Sequence, residues 1–177
     1  MAILTAAHCF TDQHDGSFER MPWVEFNRYD LNDAHHSDSD GVVRVYIRHS
    51  EDRIVRHPDF HYKDLEYDFA LIILTDHSLV ELAGLRTVSL NDDDDVPEVE
   101  GAALRAYGWG LNSYDPHDVA DVPQDVRVDY VTNESCTKSP YEWVDGRITE
   151  SMLCAYTERA QVCNKDSGKY KYMTIYV

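Results

Sequence analysis

Three stretches of the chain carry residues able to do acid–base and nucleophilic chemistry. Leu4-Thr5-Ala6-Ala7-His8-Cys9 leads small residues into a histidine followed at once by a cysteine. Tyr67-Asp68-Phe69-Ala70-Leu71 sets one acid at the mouth of the most apolar run, and Cys163-Asn164-Lys165-Asp166-Ser167-Gly168 holds a serine between Asp and Gly. A serine hydroxyl is a poor nucleophile at neutral pH; it needs a base within hydrogen-bond reach and an acid that fixes the base's tautomer. Taken alone, the His–Cys pair reads as a packed strand end or a disulfide anchor, and Asp68 as half of a buried ion pair. Taken together, the stretches give His, Asp and Ser, one of several chain orders in which this geometry recurs on unrelated folds.

With Ala106-Tyr107-Gly108-Trp109-Gly110 and Ser151-Met152-Leu153-Cys154-Ala155, the chain has five blocks in a fixed order. In these blocks it resembles the trypsin/chymotrypsin family of serine proteases, from Ile3 to about Gly168. The resemblance implies an all-β fold, a trypsin-like double antiparallel β-barrel truncated at both ends. The first barrel would span 1–90, an acidic connector 91–100 and the second barrel 101–177. It also implies a serine endopeptidase that works through an acyl-enzyme, with Ser167 as nucleophile, His8 as general base and acid, and Asp68 as its orienter. Asp166 matches the acid that binds the new α-amino group freed on zymogen cleavage, and Gln161 the floor of the specificity pocket. Cys136 and Cys154 match a disulfide pair of the family, whereas the family partners of Cys9 and Cys163 are not in this sequence. A polypeptide is the implied substrate, with an activating protease and protein inhibitors as further partners and no cofactor or metal.

Composition sets limits that agree with this. At 177 residues the chain fits one domain or two small ones and falls short of the roughly 200–250 residues of a complete two-barrel protein. Its formal net charge of −17 gives the electrostatic term that dominates nucleic-acid affinity the wrong sign, and argues equally against anionic membranes. No apolar run approaches a membrane span. Met1 to Phe10 has no basic leader region or cleavage site and is already part of the His8 block, so it is not a signal peptide. Four cysteines without a C-x-x-C pair argue against zinc and thioredoxin-type chemistry and suit the disulfides of a secreted protein.

The elements that must position these residues are legible as alternations. Trp23 and Glu25 oppose Val24 and Phe26; Val43, Val45 and Ile47 oppose Arg44, Tyr46 and Arg48; Val126, Val128 and Tyr130 oppose Arg127, Asp129 and Val131. Phe69 to Leu74 is continuously apolar, which predicts a strand buried on both faces. Ala102 to Trp109 and Arg147 to Tyr156 predict two more strands. Thr11 to Arg20 reads as a surface loop, and Asn91 to Pro97 as a solvated connector. Tyr29 to Gly41, with Asp30, Asp33, Asp38, Asp40, His35 and His36, reads as a solvated acidic loop; the rival is a calcium-binding or metal-binding module built on Asp30 to Asp40, against which Arg28 stands where the resemblance would put the first calcium ligand. His57 and His61 are spaced like a helical metal pair, but Pro58 disfavours the helix and the reading is a turn. Thr132 is suited to cap a short helix, and Asn133-Glu134-Ser135 is a glycosylation sequon.

The chain departs from the family near the serine. Lys165 stands where the family has the glycine whose N–H, with that of Ser167, forms the oxyanion hole. Lysine keeps the N–H, but a positive φ there costs it about 1–2 kcal/mol. After Gly168 the tail 169–177 replaces a second glycine, a proline and an apolar strand. Gly-Lys-Tyr can be encoded with GTAAGT, the usual opening of a spliceosomal intron, so the tail reads as translated intron, the rival being a genuine Lys/Tyr-rich strand. Without a freed N-terminus or the remaining pocket strands, this stretch alone is expected to be inactive. The alternative function is a catalytically inactive homologue that uses the scaffold for binding.

Overall fold

The computed structural model describes residues 2–12, 14–18, 23–32, 41–47, 53–74, 84, 87–93, 97, 99–110, 112, 118–138 and 148–157. They divide into two compact units, one of residues 1–28 and 33–87, the other of residues 29–32 and 88–177. The expectations for Arg48, for the calcium loop from residue 33 to 40, for Gln161, Cys163, Lys165, Asp166 and Ser167, and for the tail 169–177 lie outside the described residues.

The first unit is built from short antiparallel strands. β1 (Ala2–Thr5), β5 (Ala70–Ile73) and β4 (Arg53–Arg56) form one sheet in that order, and β2 (Trp23–Phe26) pairs with β3 (Val43–Tyr46) in another. A 3₁₀ turn, Ala7–Phe10, follows β1 and carries His8. The core comprises Ala7, Phe10, Val45, Ile47, Ala70, Ile72 and Leu74, with Ile3, Val24, Phe26, Val43, Ile54 and Phe60 packed against it. Every strand contributes through alternate residues, as the pleat requires.

That periodicity corrects the reading of 69–74 as buried on both faces. Ala70, Ile72 and Leu74 are buried, but Leu71 is 39% exposed. The outward face of this sheet is uncovered among the described residues, so the apolar run marks a β-branched and aliphatic strand, not a doubly covered one.

Thr11 to Phe18 is more ordered than a plain loop. Thr11 and Phe18 form an antiparallel bridge, Asp12 N–H donates to the Ser17 carbonyl at 2.9 Å, and Gly16 N–H to the Asp12 carbonyl at 2.9 Å. Gly16 has φ +75°, and a Cβ there would lie 2.6 Å from the Tyr62 ring. Only glycine meets both conditions.

The second unit holds β6 (Ala103–Gly108), β7 (Gln124–Val131) and β8 (Cys154–Tyr156), antiparallel in that order. β8 is shorter than the expected strand from Arg147, because Met152 N–H closes a turn onto the Thr149 carbonyl at 3.1 Å. α1 (Asn133–Thr137) is capped by Thr132, whose hydroxyl accepts the Ser135 N–H at 3.2 Å. Cys136 and Cys154 form a disulfide that joins α1 to β8 and is packed by Val131 and Ile148. Trp109 lies between Gly108 and Gly110; its Nε1–H donates to the Tyr29 carbonyl at 3.0 Å, while the Gly110 carbonyl accepts from Ala120 N–H. Residues 87–93 carry no regular element. The structure is thus mostly antiparallel β-sheet with short helical turns, and among the described residues the sheets are open.

Candidate active site

Strand register brings His8 and Asp68 together. β1 and β5 run antiparallel with Thr5 opposite Ala70 as their last pair, so the residues that follow β1 emerge beside those that precede β5. The 3₁₀ turn then folds His8 back onto the carboxylate. The turn itself is fixed: Thr11 N–H donates to the His8 carbonyl, and the Thr11 hydroxyl donates to the Ala7 carbonyl at 2.8 Å while accepting from Arg56 Nη1 at 2.8 Å. Phe10, 1% exposed, seats the same turn in the core.

Asp68 is 7% exposed, and a carboxylate so buried must be satisfied. His8 does this twice, its main-chain N–H donating to Oδ1 at 2.8 Å and its Nδ1 to Oδ2 at 2.6 Å. The second contact fixes Nδ1 as the protonated nitrogen and turns Nε2 away from the carboxylate, as a general base for a hydroxyl requires. Nε2 lies 3.8 Å from the Cys9 sulfur. Asp68 first, and then the Cys9 sulfur, raise the His8 pKa from 6.5 to about 10, against burial, which lowers it.

The remaining expected residues have distinct surroundings. Cys9 is exposed and carries no disulfide. Arg28 is paired with Glu25 at 2.9 Å, and Glu25 also takes Arg44 at 2.5 Å. Asp30 accepts from the Asn32 N–H. Among the described residues no group of three or more His, Cys, Asp or Glu side chains could hold a metal ion. Asn133 Nδ2 donates to the carbonyls of Thr149 at 2.9 Å and Met152 at 3.0 Å. A glycan on that nitrogen would leave one N–H for two acceptors, so occupancy of the sequon competes with this contact. The main-chain N–H of His8 as a ligand of Asp68 is invisible in the sequence, since a backbone donor has no residue signature.

The sequence profile described as Trypsin matches residues 1–169. The chain is 24% identical over 176 residues to Trypsin 5G1 of Aedes aegypti, covering 94% of this chain and 55% of that protein. It is 26% identical over 168 residues to Trypsin theta of Drosophila melanogaster, covering 94% and 56%. It therefore spans about half the length of the curated relatives it matches. Among solved structures, neuropsin, a serine protease expressed in the limbic system of mouse brain, superposes with a TM-score of 0.67 at 20% identity, over 94% of this chain and 65% of its own. That likeness gives the fold, a trypsin-like all-β architecture.

Proposed function

This chain belongs to the Trypsin family, and on that premise we propose that it is part of a secreted serine endopeptidase that hydrolyses polypeptides through His8, Asp68 and Ser167. The observation that carries the reading is the double contact of Asp68 with His8, which fixes the tautomer a serine's base needs. In the reaction Ser167 Oγ attacks the scissile carbonyl carbon and His8 Nε2 takes the hydroxyl proton. The tetrahedral intermediate expels the amine, which leaves with that proton, and the acyl-enzyme forms. Water then repeats the sequence, His8 taking its proton and returning it to Ser167 as the acid product departs. Asp68 stabilises the imidazolium.

The other assignments rest on the resemblance. Main-chain N–H groups of Lys165 and Ser167 would hold the oxyanion, Asp166 would bind the amino group freed by an activating protease, and Gln161 would form the pocket floor. A neutral amide at that floor does not favour cleavage after Lys or Arg.

Turnover of a denatured polypeptide by the full-length, processed protein tests the reading. Hydrolysis abolished in Ser167→Ala is the expected result; hydrolysis that survives the substitution rejects it.

Lys165, in place of the family's glycine, favours a second reading as an inactive homologue that binds a polypeptide. Losing one oxyanion donor costs about 2.7–4 kcal/mol of transition-state stabilisation. A Lys165→Gly variant that gains turnover where the parent protein has none supports this second reading.

A further inference from the structure

The residues around Asp68 hold an unfavourable backbone that the core does not explain. Among the described residues three that are not glycine have positive φ, and two of these, Leu65 at 59° and Tyr67 at 51°, fall just before Asp68. A bulky residue in the left-handed region is a genuine outlier and persists only when its surroundings over-determine it. Tyr67 is 41% exposed, so burial does not hold it there.

His57 does. Its ring stacks on the Tyr67 ring with centroids 5.0 Å apart and planes 10° from parallel. Its main-chain N–H donates to the Phe69 carbonyl at 2.8 Å, continuing the β4–β5 ladder one step past the Arg56–Ala70 pair. Phe69 N–H in turn donates to the Tyr67 carbonyl at 2.7 Å, a three-residue turn with Asp68 at its centre. One residue thus grips both neighbours of the carboxylate. The imidazole is itself oriented, since its Nδ1 accepts the Asp59 N–H at 3.2 Å, and the His57 carbonyl accepts from Phe60 N–H at 3.0 Å. A ring held by a hydrogen bond is a fixed platform, which a freely rotating surface side chain is not.

We propose that His57 is a positioning residue for Asp68: its ring and main-chain N–H hold the residues on either side of the carboxylate and so fix the direction in which Asp68 meets His8. This rests on the catalytic reading of the His8–Asp68 pair for its purpose, but its test does not use peptide turnover. The measurement is an NMR titration of the His8 imidazole in the full chain, with thermal unfolding alongside it. In His57→Ala the His8 midpoint falls towards its ordinary value, and the downfield Nδ1–H resonance of the pair weakens or is lost. His57→Phe, which keeps a flat ring and the main-chain N–H but loses the acceptor for the Asp59 N–H, restores both only in part. Should His57→Ala not fold, Tyr67→Ser removes the same stack from the other side with the same expected loss. An unchanged His8 midpoint and resonance in a folded His57→Ala or Tyr67→Ser variant overturns the proposal. A protein that hydrolyses no peptide yet shows the His57-dependent titration rejects the peptidase reading and leaves the positioning role standing.

Discussion

Both carboxylate oxygens of Asp68 are bonded by the same residue, His8, one through its main-chain N–H at 2.8 Å and the other through Nδ1 at 2.6 Å. The pair is an orienting device as well as an ion pair. The backbone bond sets where the carboxylate sits, and the side-chain bond sets how the ring is turned.

Asp68→Asn should bring the His8 pKa down from about 10 towards 6.5, because Asp68 is the largest cause of the rise. The sign for stability follows from linkage. A histidine whose folded pKa is raised contributes stability that is fully present below 6.5 and lost as pH rises through about 10. The advantage of the parent protein over Asp68→Asn in urea unfolding is therefore largest below pH 6.5 and shrinks through pH 10. An advantage constant over that window would contradict the pairing. In a processed, active protein the same variant should lose about 10⁴-fold in kcat, since the amide can present its NH₂ to Nδ1 and stabilise the wrong tautomer.

Cys9→Ala tests the other neighbour. The Cys9 sulfur is the second cause of the raised His8 pKa, so removing it should lower the His8 midpoint while Asp68 keeps it above 6.5. In an active protein the acid limb of kcat/KM should move to lower pH by the same amount, because only the deprotonated imidazole accepts the serine proton. A His8 midpoint indifferent to Cys9 would show that the 3.8 Å contact carries no energy.

Much of the first unit's geometry can be read from the residues. Val24 and Phe26, and Val43, Val45 and Ile47, face the core as their alternation requires, and Thr132 caps α1 as its type predicts. The His8 and Asp68 blocks are recognisable by the runs of residues around them, Leu4 to Cys9 and Tyr67 to Leu71. Three features are hidden for physical reasons. Leu71 points outward because a strand's faces alternate whatever its composition, and the apolar run 69–74 hides that. β4 escapes notice because Arg-Ile-Val-Arg is short and half charged. The His57–Tyr67 stack is a contact between residues of ordinary loop composition, and only the register of β4 on β5 brings them together.

Asn133 illustrates a residue whose local pattern and tertiary role differ. Its sequon suggests modification, but its amide supplies the carbonyls of Thr149 and Met152 beside the Cys136–Cys154 disulfide. Asn133→Ala should destabilise the second unit by about 1–3 kcal/mol, the usual cost of leaving part-buried acceptors without a donor. A change within about 0.5 kcal/mol, typical of surface substitutions, would show that water replaces the amide freely.

The Cys136–Cys154 disulfide spans a sequence separation of 18. Closing a loop of that size should contribute about 3 kcal/mol through the unfolded chain. The double variant Cys136→Ala/Cys154→Ala should therefore lower the urea midpoint of the second unit. An unchanged midpoint would mean that Val131 and Ile148 packing holds α1 to β8 without the bridge.

Covalent capture of the nucleophile tests the central claim most directly. An organophosphonate that reacts only with an activated serine, applied to the full-length processed protein and followed by peptide mapping, should place one adduct on Ser167. His8→Ala should abolish it and Asp68→Asn should slow it severely. A folded, processed protein that takes no label, or takes it on a residue other than Ser167, would contradict the account.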